Sequence, residues 1–228
     1  MFHVESKINL DDLQKIFKSG LKILGLNLTE KVTDDILVYF HLLLKENKQF
    51  NLISAQQDLT TQVAVHLLDS LTPLLYLEWP QTQSLLDIGS GGGLPALPLS
   101  LVFPGWSVTL VEATRKKTIF LAKVKAALNL ERVTIINQFL NPGQNQENKF
   151  YDLVMARAVS DLGTLVTLAG PRLKPDGCFL AFKGPRGQIE FSDAKKKLTR
   201  WNLKLTRRLD LSLPLVNFQR SLYFFQRA

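Results

Sequence analysis

Apolar residues in the first third of the chain recur at helical spacing. Leu10, Leu13, Ile16, Phe17, Ile23 and Leu24 form one stripe, with Asn9 placed as an N-cap. Val32, Ile36, Phe40, Leu43 and Leu44 form a second after Thr29, and Val63, His66, Leu67, Ser70 and Leu71 a third that ends near Pro73. These stripes predict core-facing helices and carry no functional information. From Ser84 the period changes. Short apolar runs at 85–88, 108–112, 133–136, 151–156 and 178–183 predict strands, with helices beginning in the 94–103 segment and spanning 115–128 and 162–172. The tail predicts a helix over 189–201 and strands over 203–209 and 222–225, and the amide-rich stretch 141–149, with Pro142 and Gly143, reads as an exposed loop. Strand–helix alternation implies an α/β fold with a mostly parallel sheet and right-handed crossovers. The expected division is a helical extension over 1–83 and an α/β domain over 84–228.

Composition narrows the class. A chain of 228 residues that is 46% hydrophobic and 21% charged can bury a full core, which excludes wholesale disorder. The single cysteine, Cys178, excludes an intramolecular disulfide, and with only three histidines no clustered metal site is expected. The first residues lack the basic and apolar regions of a secretion signal, and no apolar run reaches the roughly 18 residues of a membrane span. A cytoplasmic monomer with no membrane partner is the expectation. Charge is uneven. Lys183, Arg186, Lys195, Lys196, Lys197, Arg200, Lys204, Arg207 and Arg208 face only Glu190 and Asp193 in one stretch, so nearly all of the net +8 sits there. Such concentration suggests a polyanionic partner.

The chemistry-bearing segment is SLLDIGSGGGLPALPLS. A strand runs into Asp87-x-Gly89-x-Gly91-x-Gly93 and a helix follows. Glycines allow a tight turn and close approach of backbone to ligand, and a helix N-terminus adds N–H groups and positive potential. The dinucleotide spacing G-x-G-x-x-G fails, because Ala96 and Leu94 stand where a third glycine belongs. An acid before the first glycine fits S-adenosylmethionine (SAM) better, since that ligand carries a sulfonium and an ammonium group. Glu112, at the end of the second strand, can accept two ribose hydroxyls and supports a nucleoside ligand of either class.

With these residues the chain resembles the small-subunit rRNA methyltransferase G family, also called glucose-inhibited division protein B. The resemblance spans nearly the whole chain: Asn51-Leu-Ile-Ser54, His66-Leu-Leu-Asp69-Ser70, the glycine loop, Arg115-Lys116-Lys117 with Phe120-Leu121, Ala156-Arg157-Ala158-Val159 and Phe182-Lys183-Gly184. It implies a Rossmann-like, seven-stranded methyltransferase fold over 84–228 with an N-terminal helical extension. It further implies SAM-dependent N7 methylation of one guanine, number 527, in the 530 loop of 16S rRNA, with the rRNA or the small ribosomal subunit as partner. Residue by residue, it puts SAM on Asp87, Gly89, Gly91 and Leu94, on Glu112, Ala113 and Thr114, and beside Leu140 and Asn141. Arg157 is then a pocket arginine that positions cofactor and substrate. The family often has glycine where this chain has Ala96, and an arginine with acidic residues where it has Gln138-Phe-Leu-Asn141.

Absent groups fit that chemistry. Cytosine C5 methylation needs a cysteine nucleophile, and Cys178 lies mid-strand. Exocyclic-amine methylation commonly uses an Asn/Asp-Pro-Pro-aromatic turn where this chain reads ARAV. Guanine N7 carries no proton, so no general base is expected. Other readings stay open. Arg157 could pair with Asp161 or Glu112, His66 and Asp69 could hydrogen-bond each other or shape the substrate pocket, and Lys183 and Arg186 could contact phosphate or belong to a solvated loop. Rival functions are a methyltransferase for another RNA or a small molecule, and a non-catalytic SAM- and RNA-binding assembly protein.

Overall fold

The computed structural model describes residues 9–54, 57–76, 83–143 and 149–227. Two capped helices open it. In α1 (Leu10–Leu24) the Asn9 side chain accepts from the Asp11 N–H at 3.0 Å, and in α2 (Glu30–Phe50) Thr29 Oγ1 accepts from the Val32 N–H at 3.3 Å. The Asn9 cap is the one the sequence predicts, and Thr29 caps the helix at the point where its stripe begins. The buried stripe of α1 is Leu13, Phe17, Gly20 and Leu21, whereas Leu10 and Ile23, expected on it, are exposed. Ile23 stands about 200° around the helix from Leu21, and Leu10 sits in the first turn before packing begins. The third helical segment is irregular. It comprises α3 (Leu59–Gln62), a π-helical stretch (Val63–Leu68), α4 (Asp69–Leu71) and a 3-10 turn (Thr72–Leu75). Gly20 brings α1 hard against it, since a Cβ there would stand 2.1 Å from Leu68 Cδ1.

The α/β part runs β1 (Ser84–Ile88), α5 (Ala96–Val102), β2 (Ser107–Glu112), α6 (Arg115–Ala127), β3 (Val133–Asn137), β4 (Tyr151–Arg157), α7 (Leu162–Ala169), β5 (Leu173–Lys183), α8 (Gly187–Arg200), β6 (Leu203–Ser212) and β7 (Gln219–Arg227). The predicted strands and helices appear in order. The predicted loop at 141–149 is seen only at its ends, residues 144–148 lying outside the described residues. The seven strands form one sheet, ordered β3-β2-β1-β4-β5-β7-β6, with β1 to β5 parallel and β7 antiparallel to both its neighbours. The chain order reverses between β1 and β4, the switch point at which such sheets bind ligands beyond their strand C-termini.

Alternation along each strand builds two cores. Leu85, Leu110, Met155, Leu180 and Phe224 face the N-terminal helices, α5 and α6. Leu86, Ile88, Val154, Phe179 and Phe225 face α7 and α8. Asp87 shares the parity of Leu85, so it points towards the helical extension. β6 is an edge strand whose outward positions include Lys204, Arg207 and Arg208. Charge on an edge discourages pairing with other chains, which gives part of the basic stretch a structural use.

Candidate active site

A cavity of about 400 Å³ opens at the switch point, within the roughly 300–1,000 Å³ range of small-molecule pockets. Its floor is the glycine loop, Gly89 to Gly92. Gly89 and Gly91 have φ of 68° and 55°, backbone that side chains rarely adopt. A Cβ on Gly89 would also meet Val159 Cγ2 at 2.6 Å. Glu112 holds the loop. One carboxylate oxygen accepts from the Gly91 N–H at 2.9 Å and the other from the Thr114 N–H at 2.7 Å. The carboxylate therefore braces the backbone, although its remaining lone pairs can still accept hydroxyls. The Asn137 side-chain amide donates to the carbonyls of Glu112 and Ala113 and fixes the turn after β2.

Asp87 lies buried beneath this loop with no charged group bonded to either carboxylate oxygen, and the nearby Ser90 hydroxyl and Arg157 charge offset its burial only in part. Burial pushes its pKa up to about 8. A buried acid left unpaired in this way is a place where a cation gains energy.

The wall opposite the loop is an ion-pair chain. Asp69, fully buried at the start of α4, accepts two bonds from Arg220 (Nε at 2.8 Å, Nη2 at 2.7 Å) and one from Arg157 Nη1 at 3.1 Å. Arg157 also donates to the Val65 carbonyl at 3.2 Å. The Arg220 guanidinium lies over the Phe218 ring, 5.3 Å from its centroid. Three distant segments thus close one surface: α4, the end of β4 and the start of β7. Ala158, which follows Arg157 and lines the cavity, has φ 56°. A non-glycine residue in the left-handed region stores strain of the kind that gathers at functional sites.

Several expectations need correction. Arg157 pairs with neither Asp161 nor Glu112; its partner is Asp69. His66 and Asp69 do not bond each other. Both ring nitrogens of His66 are without a partner, and burial, with the Arg157 and Arg220 charges, lowers its pKa to about 3, so the imidazole is neutral. The π-helical turn is the cause, because its wider winding removes the shared face that a three-residue spacing gives in an α-helix. Lys183 is engaged within the fold. It is buried, paired with Glu190 at 2.6 Å and donates to the Ser160 carbonyl at 2.7 Å. Arg186, three residues on, is exposed. Cys178 packs against the core inside β5, and burial pushes its thiol up to about 12, which leaves it unreactive as a nucleophile.

Of the predicted site residues, the cavity brings together Gly89, Gly91, Leu94, His66 and Arg157. Asp69 and Asp87 lie behind its walls. Glu112, Ala113 and Thr114 flank the loop, while Leu140 (buried) and exposed Asn141 follow β3. Sequence reasoning missed Arg220, Phe218 and the contribution of the helical extension. Leu52, Ile53, Ser54, Gln57 and Val65 all line the cavity, and the Tyr39 hydroxyl donates to the Gly92 carbonyl at 2.7 Å. The Asn51-Leu-Ile-Ser54 run was the available signal for part of this wall.

Comparison with known proteins agrees with this geometry. A family model described as rRNA small subunit methyltransferase G matches residues 33–212. A curated ribosomal RNA small subunit methyltransferase G from Lysinibacillus sphaericus is 34% identical over 92% of this chain and 89% of its own length. The Bacillus subtilis protein of the same name is 30% identical over 92% and 89%. Among solved structures, a SAM-dependent O-methyltransferase from Thermotoga maritima superposes with a TM-score of 0.56 over 82% of this chain and 71% of its own, at 17% identity, which bears on the fold alone. By sequence along most of its length, the chain belongs to the rRNA small subunit methyltransferase G family.

Proposed function

We propose that this protein transfers the methyl group of SAM to N7 of a guanine in small-subunit rRNA, guanine 527 of the 530 loop being the expected target. The observation that carries the reading is the buried Asp87 carboxyl, with no charged group bonded to it, under a glycine loop at the switch point. That is an acidic floor suited to a ligand with a sulfonium and an ammonium group. Gly89, Gly91 and Leu94 would hold that ligand by backbone approach, Glu112, Ala113 and Thr114 would hold its ribose, and Leu140 and Asn141 would flank its base. The group supplies an electrophilic methyl. The chain supplies position and electrostatics. Asp87 would give up its proton as a cation binds and then favour that charge, the Asp69-bound Arg157 shapes the wall beside the loop, and the N-terminal helices exclude water from one side. No side chain need remove a proton, because the N7 lone pair carries none. Exposed Arg186, Lys195, Lys196 and Lys197 are the phosphate contacts in this reading. The protein acts as a cytoplasmic monomer, with residues 1–83 an extension packed on a methyltransferase domain over 84–228. Among the described residues no helix is long and apolar enough to cross a membrane.

The test is transfer of labelled methyl from SAM to small-subunit rRNA, with mapping of the product. The expected product is 7-methylguanosine at the target. A substrate carrying 7-deazaguanosine there should bind and accept nothing, and its methylation at a normal rate would overturn N7 as the acceptor.

A further inference from the structure

The cavity is lopsided. From the glycine loop it extends past Arg157 and Ala158 on β4 to Phe218 and Arg220 at β7, and takes in His66 and the 52–57 segment. On the β2 and β3 side Lys117, in the first turn of α6, lines it, whereas Glu112, Thr114 and Leu140 do not. In the sheet order the half holding β2 and β3 lies across the switch point from the half holding β5 and β7. If the cofactor's nucleoside sits on the former, as the proposed function has it, the β7 side is left for the acceptor base.

On that side, among the described residues, Phe218 is the one phenylalanine, tyrosine or tryptophan that lines the cavity. Its side chain is 38% exposed, so it is poorly used as core. It is nonetheless held. Its carbonyl accepts from the Leu213 N–H at 2.9 Å across the β6–β7 turn. The Arg220 guanidinium covers its ring, and that guanidinium is fixed by two bonds to a fully buried carboxylate. A partly exposed ring held in place in a cavity that Lys117, Arg157 and Arg220 also line is suited to stack a nucleobase.

We infer that Phe218 is the stacking platform for the acceptor guanine and a positioning residue for methyl transfer. The inference rests on the proposed function. Stacking suits this reaction because it grips the base by its face and leaves the edge free. The N7 lone pair lies in the ring plane, so a face contact does not compete with attack. As the methyl bonds to N7, positive charge spreads over the purine, and an aromatic face attracts a cation. Part of the contact therefore strengthens as the bond forms, and its loss shows in kcat as well as in KM.

The experiment compares the parent with Phe218→Ala, Phe218→Leu and Phe218→Trp in the full chain. It measures methyl transfer to small-subunit rRNA, SAM affinity by calorimetry, and melting temperature. Stacking on one base predicts a loss of about 10- to 100-fold in kcat/KM for the Ala and Leu variants. SAM affinity and melting should stay close to the parent, and Trp should restore the rate to within about threefold, since stacking needs a π face and not a particular ring. A Leu variant as fast as the parent would overturn the inference, because an apolar cover would then suffice. A parallel fall in SAM affinity would also overturn it, by placing Phe218 at the cofactor. A parent that transfers no methyl to rRNA sinks the proposed function and this inference together, whereas an active parent with a fully active Ala variant sinks this inference alone.

Discussion

Replacing Asp69 by alanine removes the single acid that faces Arg157 and Arg220 in the cavity wall. The carboxylate is 0% exposed, and the two guanidinium side chains are 10% and 13% exposed, so water offers little compensation. Three charge-assisted bonds go at once. Summed singly at about 1.5–3 kcal/mol each they would overcount. Breaking a buried pair by removing one partner costs about 3–5 kcal/mol, and that range applies here because the three bonds share one acceptor. For a chain of this size each kcal/mol moves the melting temperature by about 2–4 °C, so Asp69→Ala should lower it by about 6–20 °C. Asp69→Asn keeps one carbonyl oxygen and should fall at the low end. Much of the loss is repulsion between stranded cations, so Asp69→Ala with Arg220→Met should be less destabilised than the sum of the single variants. Calorimetric melts of the parent and these four variants read this directly. If Asp69→Ala melts within about 2 °C of the parent, or the double variant is additive, the carboxylate is not what holds α4 to β4 and β7.

The raised pKa of Asp87 makes stability depend on pH in the unusual direction for an acid. Between the unfolded value near 3.9 and the folded value of about 8 the folded state holds the extra proton, so stability present below pH 4 is lost as pH rises to 8. Asp87→Asn should thus melt level with the parent near pH 4 and several degrees above it at pH 8, while binding SAM more weakly; a gap that does not change with pH would contradict the burial argument. In Glu112→Gln, one amide end must face a backbone N–H at Gly91 or Thr114, and loss of a charge-assisted bond worth about 1.5–3 kcal/mol should weaken SAM binding about 10-fold or more by calorimetry; unchanged affinity would remove Glu112 from the site. Lys195, Lys196 and Lys197 are all exposed on α8, and changing them to glutamine should reduce the log–log salt slope of RNA binding by about 0.7–0.9 per lost phosphate contact; an identical slope would make them the solvated face of a helix.

What the sequence made legible is what local periodicity and turn chemistry encode. The cap at Asn9, the stripe that begins after Thr29, every strand run from 85 to 183, and the glycine loop are signals contained within a few residues. The wall of the site was not legible, because its parts meet only through topology. Asp69 and Arg220 are 151 positions apart, and Arg220 sits in a strand whose apolar run at 222–225 drew attention away from its start. His66 and Asp69 misled for a different reason. Their spacing implies a shared face only if the helix is α, and nothing local announces a π turn. Lys183 misled because a basic residue at a strand's C-terminal end suits an anion. Glu190, seven residues later, was the visible counter-charge, but the tight entry into α8 that brings it back cannot be read from spacing alone.

The charges in the site follow one logic. Methyl transfer to a ring nitrogen that carries no proton moves a positive charge from sulfur to the purine and neither creates nor destroys one. A site for that step needs constant electrostatics over a few ångströms and no proton acceptor. The wall holds two guanidiniums against one carboxylate, a net positive charge in the same cavity as the glycine loop, under which the acid Asp87 is buried. His66, which lines the cavity, stays uncharged, because burial and both arginines oppose its protonation. A charged imidazole there would raise the energy of a purine acquiring positive charge; a neutral one does not. The same arginines that Asp69 anchors for packing therefore also add to burial in keeping His66, whose ordinary pKa lies near physiological pH, in one protonation state.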